Sequence, residues 1–278
     1  MPESLVPVGE IQGAFRLHSR FQSRFLPTDR PILVYLPPGY AEDETRRYPV
    51  MYLHDGQNLF EHPAADGMPV RWCCDRPIST LVAAGAIEPV IVVGIWNAGA
   101  LRIEEYTPTP DRKVGVGGHG HLYARMLIEE LKPVVDAAYR TRADAAHTGV
   151  GGSSLGGLLS LYLGLHYPHV FGRIAALSPS VWWDDRMIIR EVLELERKLP
   201  LRIWLSTGTA EGRRVAPNAR RLRDAFLEHG WRTGVDLRYH EARGGEHNER
   251  AWADMVDPMF RFLFPPDGAA LGAAARAP

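Results

Sequence analysis

Cysteine is nearly absent. The 278 residues hold two, Cys73 and Cys74, and these are adjacent. Neighbouring residues do not easily reach disulfide geometry, so no structural bridge is expected. An excess of either charge is missing too: 32 basic and 33 acidic side chains leave a formal net charge of -1. Without a basic surplus there is no counterion-releasing footprint of a general nucleic-acid binder and no pull toward an anionic membrane surface. No run approaches the roughly 18 apolar residues that span a bilayer. The first ten residues, MPESLVPVGE, lack a basic stretch followed by an apolar one, so no secretory leader is read and a reducing, cytoplasmic setting is expected. What remains is ordinary. With 45% hydrophobic and 23% charged residues, the chain can build the core of one large α/β domain.

The apolar runs alternate between two periods. FRLHSRF (15–21) alternates apolar and polar residues, as an antiparallel strand with one wet face does. RPILVYLP (30–37), YPVMYLH (48–54) and EPVIVVGIW (88–96) are apolar on both faces and suit strands buried between helix layers. ISTLVAAG (78–85) reads as the end of a short helix stopped by glycine. HLYARMLIEELKPVVDAAY (121–139) has a helical period, which Pro133 should kink or restart. Strands are expected next at 147–152, 173–178, 201–207 and 235–242, alternating with helices at 154–167, 185–199, 218–230 and 249–264. That order predicts an α/β protein with a mostly parallel central sheet of about eight strands and helices on both faces. No repeat or linker interrupts it. Residues 1–264 therefore read as one domain, and 265–278, rich in small residues, as a flexible tail.

The strongest local signal is Gly152-Ser153-Ser154-Leu155-Gly156, a G-x-S-x-G between the strand TGVGG and the helix LGGLLSLYLGL. A nucleophile elbow needs that setting, with small residues flanking the serine so that the chain can turn sharply. The helix that follows offers the Leu155 N–H and a positive dipole end to a developing oxyanion. A glycine-rich turn without chemistry is the competing reading, and the strand–turn–helix context argues against it. A serine nucleophile needs a base and the base an orienting acid, in the chain order serine, acid, histidine. His247, in the loop GGEHNE past the last strand, is the candidate base; His240, inside VDLRYHEA, reads as packed or surface. Glu211, in GTAEG after LRIWLST, is the candidate acid, with Asp184 and Asp185 one strand earlier as the alternatives. The second oxyanion donor is expected in His54-Asp55-Gly56-Gln57-Asn58, as the main-chain N–H of Gln57.

Other signals are weaker. Trp182 and Trp183 follow the strand at 173–178; both are candidate substrate-binding residues, one suiting the core and the other a flat wall for an aromatic acyl or sugar group. Arg213, Arg214, Arg220, Arg221 and Arg223 read as a solvated helix face, with an arginine at the rim for an anionic substrate group as the sharper option. Arg102 is expected to pair with Glu104 or Glu105 and brace the site loop. GVGGHG (115–120) matches a dinucleotide fingerprint in letters only, since no strand precedes it. His119 and His121 lack further ligands at useful spacing, and His54-Asp55 lacks partner histidines. No metal and no cofactor is expected.

YPVMYLHDGQNLF (48–60), RIEEYTP (102–108), the segment 139–183, STGTAEG (206–212) and GGEHNERAW (244–252) together resemble the Putative esterase family of α/β hydrolases. That family includes siderophore, feruloyl and acetyl-xylan esterases, S-formylglutathione hydrolases and mycolyltransferases. The likeness runs over roughly 25–264, with several motifs in the right order. It implies the α/β-hydrolase fold, a Ser154–Glu211–His247 triad, an oxyanion hole from the main chain of Gln57 and Leu155, and a small-molecule ester as partner. Many members carry Asp where Glu211 stands, a departure of one methylene in reach. The activity expected is a serine carboxylic-ester hydrolase working through an acyl-enzyme. Acyl transfer to a sugar or thiol on the same fold, and a binding protein that has lost turnover, are the alternatives.

Overall fold

The computed structural model describes residues 4–6, 14–61, 71–113 and 115–266. All eight apolar runs read as strands are strands: β2 (Ala14–Phe21), β3 (Arg30–Leu36), β4 (Val50–His54), β5 (Ile91–Ile95), β8 (Thr148–Ser153), β9 (Arg173–Leu177), β10 (Arg202–Gly208) and β11 (Leu237–Ala242). A ninth, β1 (Ser4–Val6), adds to the edge, and β6 (Pro110–Asp111) with β7 (Val116–Gly117) forms a separate antiparallel ribbon. The main sheet runs β1-β2-β3-β5-β4-β8-β9-β10-β11. The pairings from β5 to β11 are parallel and those from β1 to β5 antiparallel. This is the α/β-hydrolase fold.

Alternation along each strand splits the core in two. Ile32, Val34 and Leu36 of β3, with Ile203 and Leu205 of β10, join one apolar cluster, while Leu33, Tyr35 and Trp204 join the other. Side chains at even spacing share a face of a pleated strand, so runs apolar throughout serve two helix layers. Each Val, Leu or Ile so buried contributes roughly 1.5–3 kcal/mol relative to exposure. Helix α1 (Asp75–Ala83) covers the second face through Ile78 and Leu81.

The helix expected at 121–139 forms in three pieces after α2 (Arg102–Tyr106): α3 (Gly120–Arg125), a π turn (Met126–Leu131) and α4 (Lys132–Ala138). Pro133 lies in the first turn of α4, directly after the π turn, which opens the run of i to i−4 bonds that a proline cannot join. Helix α5 (Leu155–His166) is buried nearly all round, as its leucine content requires. Next come α6 (Trp183–Leu193) and α7 (Val215–Glu228). The helix expected at 185–199 stops at Leu193; Leu195 and Leu199 reach the core from irregular chain, which explains their helix-like spacing. The helix expected at 249–264 is two, α8 (Glu249–Ala253) and α9 (Val256–Leu263). Pro258 cannot donate to Asp254 four residues back, so the break falls there. Of the segment expected to be a tail, 267–278 lies outside the described residues.

Candidate active site

The chain leaves β4 through α1, on one sheet face, and leaves β8 through α5, on the other. Adjacent strands with oppositely directed connections open a crevice at their carboxyl ends, where ligands of open α/β sheets bind. Ser154 stands there, directly after β8, with φ 57 and ψ −120. A non-glycine residue at positive φ is strained by about 1–3 kcal/mol and is held by its surroundings. Its main chain is pinned on both sides: the N–H donates to Leu177 O at 2.9 Å, and its carbonyl accepts from Leu158 N at 3.1 Å and Ser180 N at 3.0 Å. A side chain at Gly152 would be crowded, since a Cβ there would stand 3.1 Å from both the Gly156 carbonyl carbon and the His54 Cβ. The Ser154 hydroxyl lies 3.4 Å from the Ser180 hydroxyl, and no hydrogen bond joins it to His247.

Glu211 follows β10 and His247 follows β11. Their loops are laced together by Ala210 N to Gly245 O at 2.9 Å, Thr209 N to Ala242 O at 3.0 Å and Gly244 N to Thr209 Oγ1 at 2.8 Å. The approach is so close that a Cβ on Gly208 would run into the Gly245 carbonyl oxygen. Glu211 Oε2 accepts from His247 Nδ1 at 2.8 Å. The carboxylate is 1% exposed and the imidazole 40%, so the carboxylate is enclosed while the ring is open to solvent. Glu211 Oε1 accepts from Ser178 Oγ at 2.6 Å and from the Gly208 N–H.

Asp184 and Asp185 are elsewhere. Asp184 accepts from Thr109 Oγ1 at 2.9 Å and Asp185 is exposed, so neither is the carboxylate on His247. His240 stacks on Trp204 with centroids 6.1 Å apart.

Leu155 opens α5, so its N–H lies in the first turn, beyond reach of any carbonyl of that helix. Gln57 sits in a short 3₁₀ turn, Gly56–Asn58, entered through Asp55 at φ 57. The brace of this loop differs from the expected one. Arg102 pairs with Asp55, Nε to Oδ1 at 2.7 Å and one terminal nitrogen to Oδ2 at 2.8 Å, and its guanidinium lies 4.9 Å from the Tyr106 ring centre. Burial opposes the Arg102 charge, but the bonds to Asp55 outweigh it and raise its pKa. Glu105 instead turns inward to a buried bidentate pair with Arg30, at 2.7 and 2.9 Å, and Glu104 lies 3.4 Å from His119. Residues two or three apart on one short helix were thus sent to different partners by the interior cation. Asp55 also accepts from Asn97 Nδ2 at 2.7 Å and donates its N–H to the Tyr106 hydroxyl at 3.1 Å.

Of the two candidate substrate-binding tryptophans, Trp183 is the one that packs in the core, 1% exposed, with its indole N–H donated to Thr109 O at 2.7 Å. Trp182 is 47% exposed. Arg220 pairs bidentately with Glu241, and Arg223 bonds Asp224, as a solvated face does. Among the described residues no three His, Cys, Asp or Glu side chains are grouped to hold a metal ion, and no helix is long and apolar enough to cross a membrane. Sequence reasoning missed Ser178, Ser180, Asn97 and Trp252. Their contacts join segments far apart in the chain, and the repeated serines of SPS after β9 were the only local sign.

Comparison with known proteins finds esterases. The chain is 29% identical over 246 residues to the ferri-bacillibactin esterase of Bacillus subtilis, covering 80% of either sequence. It is 31% identical over 159 residues to an endo-1,4-beta-xylanase/feruloyl esterase of Xylanibacter ruminicola, covering 55% of this chain and 20% of that one. The enterobactin esterase of Shigella flexneri shares the fold, with a TM-score of 0.71 at 20% identity over 95% of this chain and 58% of that one. Residues 23–263 match the model of the family described as Putative esterase, and the chain belongs to that family of ester-hydrolysing enzymes.

Proposed function

We propose that the chain hydrolyses a small-molecule carboxylic ester through a covalent acyl-enzyme on Ser154. The observation that carries this reading is the 2.8 Å bond from His247 Nδ1 to the enclosed Glu211 carboxylate, at the same end of the sheet as a serine at positive φ. With Nδ1–H donated to Glu211, the other ring nitrogen, Nε2, is the basic one. Nε2 takes the Ser154 proton as Oγ attacks the ester carbonyl. The carbonyl oxygen becomes an oxyanion held by the main-chain N–H groups of Leu155 and Gln57, aided by the positive end of α5. Nε2–H then protonates the leaving alkoxide. Water enters, gives its proton to Nε2, attacks the acyl carbon, and Ser154 leaves with that proton. In free enzymes such hydrogen bonds are commonly long and tighten with substrate, which accommodates the Ser154 hydroxyl resting near Ser180. The exposed ring of Trp182, two residues past Ser180, offers a flat apolar wall to the acyl or alcohol part.

Hydrolysis of p-nitrophenyl esters from acetate to octanoate tests this. Ser154→Ala should lower kcat on the order of 10⁴- to 10⁶-fold, and adding His247→Ala should cost little more. A fall of only a few-fold would refute the nucleophile.

A further inference from the structure

Ser178, the residue after β9, has no part in the mechanism above. It is 2% exposed and sits at φ 44, a backbone that a serine adopts only under constraint. Its N–H donates to Ser206 O at 2.7 Å, which ties it to β10 just before the acid loop. Its hydroxyl lies between two groups of fixed polarity. A carboxylate only accepts and an indole N–H only donates. Ser178 Oγ therefore donates to Glu211 Oε1 at 2.6 Å and accepts from Trp252 Nε1 at 3.0 Å. The same Trp252 stands edge-on to the His247 ring, centroids 5.0 Å apart and planes at 84°.

Glu211 is closed off from water, so the protein must supply its hydrogen bonds. Ser178 and the Gly208 N–H hold Oε1, which leaves Oε2 for His247 Nδ1 alone. Turning the carboxylate away from the imidazole breaks the Ser178 bond. We infer that Ser178 is a positioning residue: its hydroxyl, itself oriented by the Trp252 indole, locks the Glu211 carboxylate in the rotamer that orients His247. This rests on the triad proposed above.

The test uses two variants that share one loss. Ser178→Ala removes the hydroxyl and keeps the backbone strain, whereas Ser178→Gly removes the hydroxyl and relieves the strain. Both should lower kcat by about tenfold to a hundredfold with KM changed less than about twofold, although the glycine variant is the more stable. Trp252→Phe reads the relay from its other end and should cost about threefold to tenfold in kcat. In a Glu211→Gln background, Ser178→Gly should cost less than about twofold, because its effect runs through the carboxylate. A hydroxyl with only a structural role would give losses that follow stability and persist in that background. The relay is overturned if Ser178→Gly keeps wild-type kcat, or if its full cost survives Glu211→Gln. If Glu211→Gln and His247→Ala themselves leave the rate unchanged, the triad fails and the relay with it; if they slow it and Ser178→Gly does not, the relay alone fails.

Discussion

His54 closes β4 directly beneath the elbow and is fully buried. Its Nδ1 shares a 3.1 Å hydrogen bond with the Tyr123 hydroxyl, while Nε2 has no hydrogen-bond partner. Burial pushes the imidazole down from 6.5 to about 3, with Asp55 opposing the shift and Arg102 adding to it. An unfolded chain takes up a proton at His54 below 6.5, and the folded one only near 3. The contribution of His54 to stability is therefore fully present above about pH 6.5 and is lost as pH falls from there toward 3. Urea unfolding should lose about 2 kcal/mol from this group between pH 7 and pH 5. His54→Asn, although less stable at pH 7, should lack that part of the slope. Equal slopes in the two proteins would contradict the assignment. The sequence places His54 at the end of a strand and the start of the donor loop, but nothing local reveals that it lies under a distant glycine-rich turn.

At the scale of elements, the loop after β4 and helix α2 act as one part. Asp55 enters the Gly56–Asn58 turn in a left-handed conformation and is gripped by Arg102 and Asn97. Since the next peptide but one carries the proposed Gln57 donor, this grip sets where that N–H points. Arg102→Ala should lower kcat by about tenfold or more while leaving KM nearly unchanged, because an oxyanion donor acts mainly in the transition state. Steady-state kinetics on one p-nitrophenyl ester decide it, and a kcat within twofold of wild type would count against the brace. The strands were legible because runs such as 30–37 and 88–96 are apolar on both faces, which a doubly covered sheet demands. Helix ends were less so. Leu195 and Leu199 mimic a helical period from irregular chain, and Pro258 breaks a pattern that otherwise reads straight through. The partner of Arg102 was misread because a cation buried 75 residues away, Arg30, claims Glu105.

At the scale of the whole molecule, the sheet brings four separated segments to one end. Gln57, Ser154, Glu211 and His247 each follow a parallel strand at its carboxyl end, Gln57 and Ser154 where the connections of β4 and β8 diverge. The order serine, acid, histidine assigns Ser154, Glu211 and His247 to strand ends, and the structure has them after β8, β10 and β11. The supporting residues were not legible in the sequence, since Ser178, Trp252 and Asn97 gain meaning only through side-chain contacts made after folding. The central claim is that Ser154 is the activated nucleophile, and covalent labelling tests it most directly. The folded protein would be treated with a fluorophosphonate and the modified peptide found by mass spectrometry. The account predicts one label per chain, on Ser154, absent in Ser154→Ala and formed far more slowly in His247→Ala. No label on the folded wild type, or a label on Ser153, Ser178 or Ser180 instead, would contradict it.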